Sequence, residues 1–255
     1  MKRLIGVIQF MTTIPIPIDT GKDEAFHKGV IYFPIVGMIL GVLYYIIGTI
    51  SAILFNPYIG AVMIIVSEVV LTGGLHLDGL GDTFDGLYSY REKERMLEIM
   101  KDSRLGTNGL LAIMLVLLLK LGFIYTLLEK DFLWMIIVMP VIARSMQVVA
   151  CYKTKTPRER GMGNLFIGKV STLSLLGTLI ISMAIIGGTL YIVGEMTTQN
   201  VLIQLACSLF LIVGVRVFIK TVYRKIDGIT GDVLGCICEL TELGYLLIIY
   251  LMYGL

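Results

Sequence analysis

Residues 108–128 read NGLLAIMLVLLLKLGFIYTLL, an almost unbroken apolar run in which Lys120 is the single charged residue. A hydrocarbon core about 30 Å thick is crossed by a helix of about 20 mostly apolar residues, and this run has that length. Hydrophobic residues make up 56% of the 255-residue chain, and the mean hydropathy is +0.87. Soluble domains are nearer to about 45–50% apolar. We therefore expect an all-α integral membrane protein that has lipid, and not nucleic acid, as a partner.

Seven apolar stretches are long enough to cross a membrane. We place them at residues 30–54, 58–77, 108–128, 132–151, 173–194, 201–219 and 233–253. The polar connections between them are short, and neither a Ser/Pro-rich linker nor a fixed-period repeat divides the chain. The sequence therefore predicts a single domain over residues 1–255.

Lysine and arginine are concentrated in alternate connections. The segment before the first span and the connections after the second, fourth and sixth spans hold nearly all of them. On the opposite side, Lys130 is the only basic residue between spans. Because cytoplasmic loops carry the excess of Lys and Arg, this pattern predicts seven spans in the cell membrane and a cytoplasmic N terminus. The polar motifs described below fall on the same, cytoplasmic side.

The first of these motifs is TGGLHLDGLGDTFDG at residues 72–86, in which Asp78, Asp82 and Asp85 recur at i, i+4 and i+7. On a helix they fall within about 60° of arc, and three carboxylates on one face repel one another unless a cation compensates. Oxygen ligands suit Mg²⁺, which typically takes one or two carboxylates together with substrate phosphates. The alternative is that these acids only solvate a helix end. His76 is either a ligand or general base, or a hydrogen-bonded structural residue.

The segment MKDSRLGTNG, residues 100–109, leads into the third span and supplies further polar groups. Its bases can neutralise phosphate oxygens, its acid can join a metal site, and its small donors can hold an anion at a helix N terminus. The candidates are Lys101, Asp102, Arg104 and Asn108. The alternative is a capped helix start with ordinary cytoplasmic charges.

Charged residues also occur inside the apolar spans. An unpaired Arg144 at the centre of its span would cost about 2.5–3.5 kcal/mol on insertion scales, so it should face the bundle interior or a polar cavity. Its partner is expected to be an aspartate or a substrate phosphate, with extension toward the surface as the alternative. Lys120 and Arg216 are expected to extend to the membrane surface.

The last motif is DGITGDVLGCICELTE at residues 227–242, where Asp232, Glu239 and Glu242 stand at i, i+7 and i+10. These offsets place the three acids on one helical face. A helix that carries two glutamates into the membrane without a nearby base needs a partner for them. If this face meets the first acidic face, the two would line one pocket.

These motifs resemble the cobalamin synthase family of cobamide-assembling transferases, which are also called adenosylcobinamide-GDP ribazoletransferases. The similarity runs nearly end to end and is most specific in the His-Leu-Asp-Gly and Lys-Asp-Ser-Arg blocks. It is carried by QFMTTIP at 9–15, FPIVG at 33–37, the block at 73–86, KDSRLGT at 101–107 and GITGDVLG at 228–235 with Glu239. The resemblance implies a Mg²⁺-dependent reaction in which α-ribazole, or its 5′-phosphate, displaces GMP from adenosylcobinamide-GDP.

Displacement at a diphosphate calls for positioning and charge neutralisation more than for covalent catalysis. On this hypothesis Asp82 orients or deprotonates the attacking hydroxyl, and Glu239 is the alternative base. The metal ligands would be Asp78, Asp82, Asp85 and Asp102. The remaining catalytic candidates are His76 and Arg104, and the substrate-binding candidates are Lys101, Arg104, Asn108, Arg144, Asp232 and Glu242.

Two other functions are compatible with acids in a polytopic protein. One is another Mg²⁺-dependent transferase of activated diphosphates, such as a CDP-alcohol phosphotransferase or a prenyltransferase. The CDP-alcohol pattern requires an arginine shortly after Asp-Gly, whereas Asp85-Gly86 is followed by Leu-Tyr-Ser-Tyr. The other is a transporter, which should carry a second, inverted set of polar features opening to the far side. A homo-oligomer is compatible with each of these functions.

Overall fold

The structure is a computed structural model that describes residues 2–21 and 23–255, and these residues fold into helices without a β-strand. Two short 3₁₀ segments, Phe26–Tyr32 and Met162–Leu165, accompany the α-helices. Over this part of the chain the α-helices are α1 (Lys2–Met11), α2 (Phe33–Leu54), α3 (Pro57–Thr72), α4 (Leu75–Leu87), α5 (Lys93–Ile99), α6 (Thr107–Glu129), α7 (Met135–Cys151), α8 (Thr172–Ile192), α9 (Thr198–Ile226) and α10 (Gly231–Tyr253). The all-α prediction is confirmed.

Five helices of the described residues are long and apolar enough to cross a membrane: α2 with its 3₁₀ lead-in, α6, α8, α9 and α10. The bent pair α3 and α4 adds a sixth if it is counted as one span. Large apolar side chains on the outer helices are exposed, among them Leu118 on α6 and Phe210 on α9. A continuous apolar exterior is rare in soluble proteins and is what lipid contact requires. The seventh span and the side of the N terminus stay predictions.

Helix α7 forms the centre of the bundle. It has 17 residues, and all of them except Ile137 are buried. Helices α2, α8, α9 and α10 pack around it. The approach of α2 is close, because a Cβ atom at Gly41 would lie 2.5 Å from the carbonyl oxygen of Ile137. Arg144, which lies on this helix, is therefore buried in the interior of the bundle.

Capping residues set the start of two helices that matter for the site. Asn56 accepts a hydrogen bond from the Ile59 amide, and Pro57 follows it as the first residue of α3. The side chain of Thr230 accepts a hydrogen bond from the Val233 amide at the start of α10. Such side-chain acceptors satisfy amides that the first helical turn leaves free. The cap at Thr230 places Asp232 in the first turn of α10.

The largest departure from the sequence prediction is a sharp break after Thr72. The span predicted over residues 58–77 ends there, because Gly73 and Gly74 both adopt left-handed backbone conformations with φ of 61° and 71°. Side chains other than glycine rarely take this conformation, so two adjacent glycines end a helix where an apolar pattern alone would continue it. Helix α4 leaves at 88° to α3 and carries His76 with it.

Replacing Gly74 by valine is expected to lower stability by about 1–2 kcal/mol through backbone strain alone. A Cβ at this position would meet no heavy atom within 4 Å among the residues that the structure describes. Gly74→Asn should cost less, because asparagine tolerates the left-handed conformation. Thermal unfolding of the two variants in detergent tests this expectation. Equal loss of stability in both variants would show that the left-handed backbone conformation is not the reason for glycine at this position.

Candidate functional site

A cavity of about 320 Å³ opens between α4, the start of α10 and the connection from α7 to α8. One wall is formed by α4 and α10, which contribute His76, Asp78 and Asp232. The lining also contains the bases Lys101, Arg158 and Arg160, together with residues of the 3₁₀ segment. Acidic and basic side chains therefore meet at the cavity, and Arg158 pairs directly with Asp232.

Helices α4 and α10 meet through glycines. A Cβ at Gly79 would lie 2.7 Å from the carbonyl oxygen of Asp232, and a Cβ at Gly235 would lie 3.1 Å from the carbonyl oxygen of His76. Larger residues at either position would push the helices apart. This close packing brings Asp232, at the start of α10, to the acids of α4. From their helical spacing, the two acidic faces were expected to line one pocket if they met.

The carboxylates on α4 differ in their surroundings. Asp78 is exposed and lines the cavity, and Asp82, one turn further on, is half-buried. Asp82 experiences the negative charges of Asp78, Asp232 and Asp85, against the positive charge of Arg158. This excess of negative charge, together with an oxygen-only donor set, fits a hard divalent cation. Asp78, which is exposed, and Asp82 fit a cation that binds one or two protein carboxylates and completes its coordination shell with phosphate oxygens.

Asp85 is engaged elsewhere. Its two carboxylate oxygens accept hydrogen bonds from the amides of Gly106 and Gly109, at 2.7 and 2.8 Å. The acid thus caps the N terminus of α6 from a different helix, where its charge also complements the helix dipole. We therefore assign Asp85 to holding α4 against α6, and not to a metal ion.

Asp85→Asn is expected to destabilise the fold by about 1–3 kcal/mol, because one charge-assisted hydrogen bond is replaced by an amide group facing a backbone donor. If the other acids hold a metal ion, the Mg²⁺ concentration that gives half-maximal activity should stay at the wild-type value. Thermal unfolding and a Mg²⁺ titration of activity measure the two effects separately. A variant of unchanged stability with a raised Mg²⁺ requirement would return Asp85 to the metal site.

The predicted residues after α5 lie apart from the cavity, with one exception. Asp102 and Arg104 form a closed pair, with the Arg104 Nη2 atom 2.5 Å and its Nε atom 3.0 Å from the carboxylate oxygens. The hydrogen bonds from Arg104 lower the pKa of Asp102 to about 2. Asn108 donates to the carbonyl oxygen of Tyr88. Lys101 is the exception, since it lines the cavity.

Beneath the cavity lies a buried ion cluster centred on Lys120. The Lys120 Nζ atom is 2.5 Å from Glu68, 2.7 Å from Glu239 and 2.6 Å from Glu242. The prediction that Lys120 extends to the membrane surface is wrong, because its side chain is 0% exposed. In the described part of the chain, these glutamates are the one acidic trio whose ligand atoms lie within 4.8 Å of one another. The lysine ammonium therefore supplies the positive charge that these three carboxylates need.

Arg144 joins this cluster to the cavity. It lies inside the bundle, as its charge predicts. Its partner is Glu242 on α10, with which it forms an ion pair, and not one of the predicted aspartates. Its Nη2 atom lies 3.5 Å from the Nδ1 atom of His76, which is buried and borders the cavity. The structure therefore brings His76, Arg144, Glu239 and Glu242 together and places the last three below the cavity.

Two residues that the sequence motifs did not single out have prominent places in the structure. Glu68 belongs to the buried cluster, and its signal was an acid within an otherwise apolar stretch. Arg158 forms an ion pair of 2.8 Å with Asp232, and its side chain is only 11% exposed. Nothing in the spacing of the basic residues between α7 and α8 distinguishes Arg158 from its neighbours. Its position was therefore not predictable from charge pattern alone.

The fold and the cavity define a polytopic α-helical membrane protein whose site, lined by carboxylates and bases, suits a phosphorylated substrate. A sequence model of the family described as cobalamin-5-phosphate synthase matches residues 3–250. The chain belongs to the cobalamin-5-phosphate synthase family.

The relatives agree with this membership. An adenosylcobinamide-GDP ribazoletransferase of Clostridioides difficile is 53% identical over 253 residues, covering 99% of this chain and 98% of the relative. One of Alkaliphilus metalliredigens is 48% identical over 254 residues, with coverage of 100% and 97%. No solved structure matches the chain. The resemblance seen in the motifs is confirmed, and it makes the chain a transferase of cobalamin biosynthesis.

Proposed function

We propose that this chain joins adenosylcobinamide-GDP to α-ribazole, or to its 5′-phosphate, and releases GMP at the cytoplasmic face of the cell membrane. The observation that carries this proposal is the meeting of Asp78, Asp232 and Arg158 around one cavity. Asp82 lies one helical turn beyond Asp78 and experiences the charges of all three. The chain's full-length similarity to transferases with this name supports the choice of substrates. It also favours this function over a CDP-alcohol phosphotransferase, a prenyltransferase or a transporter.

The reaction is one displacement at phosphorus. A ribose hydroxyl of the ribazole attacks the phosphorus on the corrinoid side of the diphosphate, and a new P–O bond forms there. The bond from that phosphorus to the bridging oxygen breaks, and GMP departs with that oxygen. The hydroxyl proton passes to a base, for which we propose the Asp82 carboxylate. A positioned carboxylate in this role contributes typically about 10²–10⁴-fold.

We propose Asp78 and Asp82 as ligands for Mg²⁺, with Asp232 beside them. When bound, the ion would neutralise diphosphate oxygens and so favour departure of GMP. Lys101, which also lines the cavity and is exposed, would contact phosphoryl oxygens. Positioning by such fixed charges accounts for most of the catalysis in phosphoryl transfer.

The remaining predicted residues are proposed to act from a distance. Glu239 and Glu242 on α10 would hold α6 through Lys120 and α7 through Arg144. His76 on α4 would be held through its contact with Arg144. Asp102 and Arg104 would contact a substrate only after their ion pair opens, so their predicted roles in metal and phosphate binding depend on a loop rearrangement. Asn108 would support the same loop through Tyr88.

The test is product formation by the purified chain in liposomes, supplied with adenosylcobinamide-GDP and α-ribazole 5′-phosphate. Mass spectrometry should detect the cobamide phosphate and an equal amount of GMP, and chelation of Mg²⁺ should stop both. A folded, Mg²⁺-supplied protein that forms neither product would refute the proposal. The same assay with other activated diphosphates would then identify the class of donor.

A further inference from the structure

Arg158 lines the cavity, and two donors of its guanidinium group have no acceptor among the described residues. Its Nη1 atom pairs with Asp232, whereas Nε and Nη2 are buried and find no acceptor in the part of the chain that the structure describes. These two atoms form the side of the guanidinium on which the N–H bonds point the same way. This edge is the one that grips two oxygens of a phosphate or carboxylate at once.

An unused buried donor is costly. Leaving such a group without an acceptor costs about 1–3 kcal/mol, and more for a charged group. Such a group calls for an explanation, and an ion or ligand that completes it is one. The acids of the cavity make an anion there unfavourable unless bases lie among them, and Lys101, Arg158 and Arg160 also line the cavity.

The segment that carries Arg158 is fixed before any ligand arrives. Asn164 donates to the carbonyl oxygens of Arg158 and Glu159, at 2.9 and 3.1 Å. Lys155 is held on both sides, since its amide donates to Tyr223 Oη and its carbonyl oxygen accepts from the Ile229 amide. The backbone that carries Arg158 is thus held in place, and the ion pair with Asp232 orients its guanidinium, which limits the entropy lost on binding.

We propose that Arg158 forms a phosphate-binding subsite, with Asp232 orienting its guanidinium and the Nε and Nη2 atoms gripping two phosphoryl oxygens. This inference rests on the proposed function. The phosphate belongs either to the GMP half of the diphosphate or to the 5′-phosphate of the ribazole, and the chemistry of the subsite is the same for both. Asp232 is then a positioning residue.

Two measurements on Arg158→Gln test the subsite and distinguish its two sources. The first is equilibrium dialysis of labelled GMP with Mg²⁺, which needs no turnover. The second is the ratio of kcat/KM for α-ribazole 5′-phosphate to that for α-ribazole. Arg158→Lys is measured with it, because lysine keeps the positive charge next to Asp232 but lacks the two parallel N–H donors of the guanidinium. If Arg158→Gln does not fold, Arg158→Lys is used in its place. Lys155→Gln is the matched control, because its exposed side chain lies on the same segment outside the cavity.

A nucleotide subsite predicts that GMP affinity falls by about 10–100-fold in Arg158→Gln, with a smaller fall in Arg158→Lys and none in the control. A ribazole-phosphate subsite predicts unchanged GMP affinity and a similar fall in the kcat/KM ratio. If both quantities stay within about twofold of wild type in folded variants, the subsite is refuted. Wild-type protein that binds GMP through Arg158 yet forms no cobamide would refute the proposed function and leave the subsite standing.

Discussion

Asp82→Asn is expected to lower the rate of GMP release by at least about 10³-fold, while the protein remains folded. The substitution removes the proposed base and one of two proposed Mg²⁺ ligands, and either loss alone is typically worth about 10²-fold or more. Asp82 is half-buried near three other acids, so removal of its charge relieves repulsion and should not destabilise the fold. Steady-state kinetics and thermal unfolding in detergent measure the two properties.

Glu94→Gln is the control for this variant. It makes the same change of charge at an exposed position of α5, away from the cavity, and should leave the rate within about twofold of wild type. If Asp82→Asn also keeps a rate within tenfold of wild type, Asp82 is neither base nor essential ligand. The acidic face of α4 would then serve only to solvate the helix.

Lys120→Met is expected to have the largest effect on folding. It removes the cation that three buried glutamates share, and Arg144 alone would remain to balance them. Removing one partner of a buried ion pair typically costs about 3–5 kcal/mol, because an uncompensated charge stays inside. The yield of monodisperse protein and its unfolding temperature should both fall sharply.

Two companions make this result interpretable. Lys130→Met changes the same residue type at an exposed position after α6 and should leave the unfolding temperature near the wild-type value. Adding Glu68→Gln and Glu239→Gln to Lys120→Met removes the uncompensated charges and should recover part of the lost stability. If Lys120→Met is as stable as Lys130→Met, the cluster does not hold the bundle together.

Much of the fold could be predicted because hydrocarbon length and loop charge leave strong patterns. The run at 108–128 corresponds to α6 within a residue at each end. The break at Gly73 and Gly74 was missed, because apolar residues on both sides conceal a change of direction that depends on two left-handed residues. Helix α9 continues beyond the predicted span to Ile226, since its last turns carry bases that end the apolar pattern without ending the helix.

The site could be predicted in part. The helical spacing of Asp78 and Asp82 was sufficient to propose a metal-binding face, and the resemblance added the substrates. The sequence gives no indication that Asp85 caps α6, because that contact joins residues from different helices. Likewise, Lys120 resembles an ordinary surface-seeking lysine until α3 and α10 bring their glutamates to it. Pairings between distant segments depend on packing, which one sequence does not display.

The most direct test of the central claim is metal binding at the α4 face in the presence of nucleotide. Electron paramagnetic resonance of Mn²⁺, used in place of Mg²⁺, should detect tight binding to the wild-type chain with GDP present. We expect Asp78→Asn and Asp82→Asn each to weaken that binding by about tenfold or more, and Glu94→Gln to leave it unchanged. Equal Mn²⁺ affinity in all four proteins would contradict the account and separate the acidic face from the chemistry.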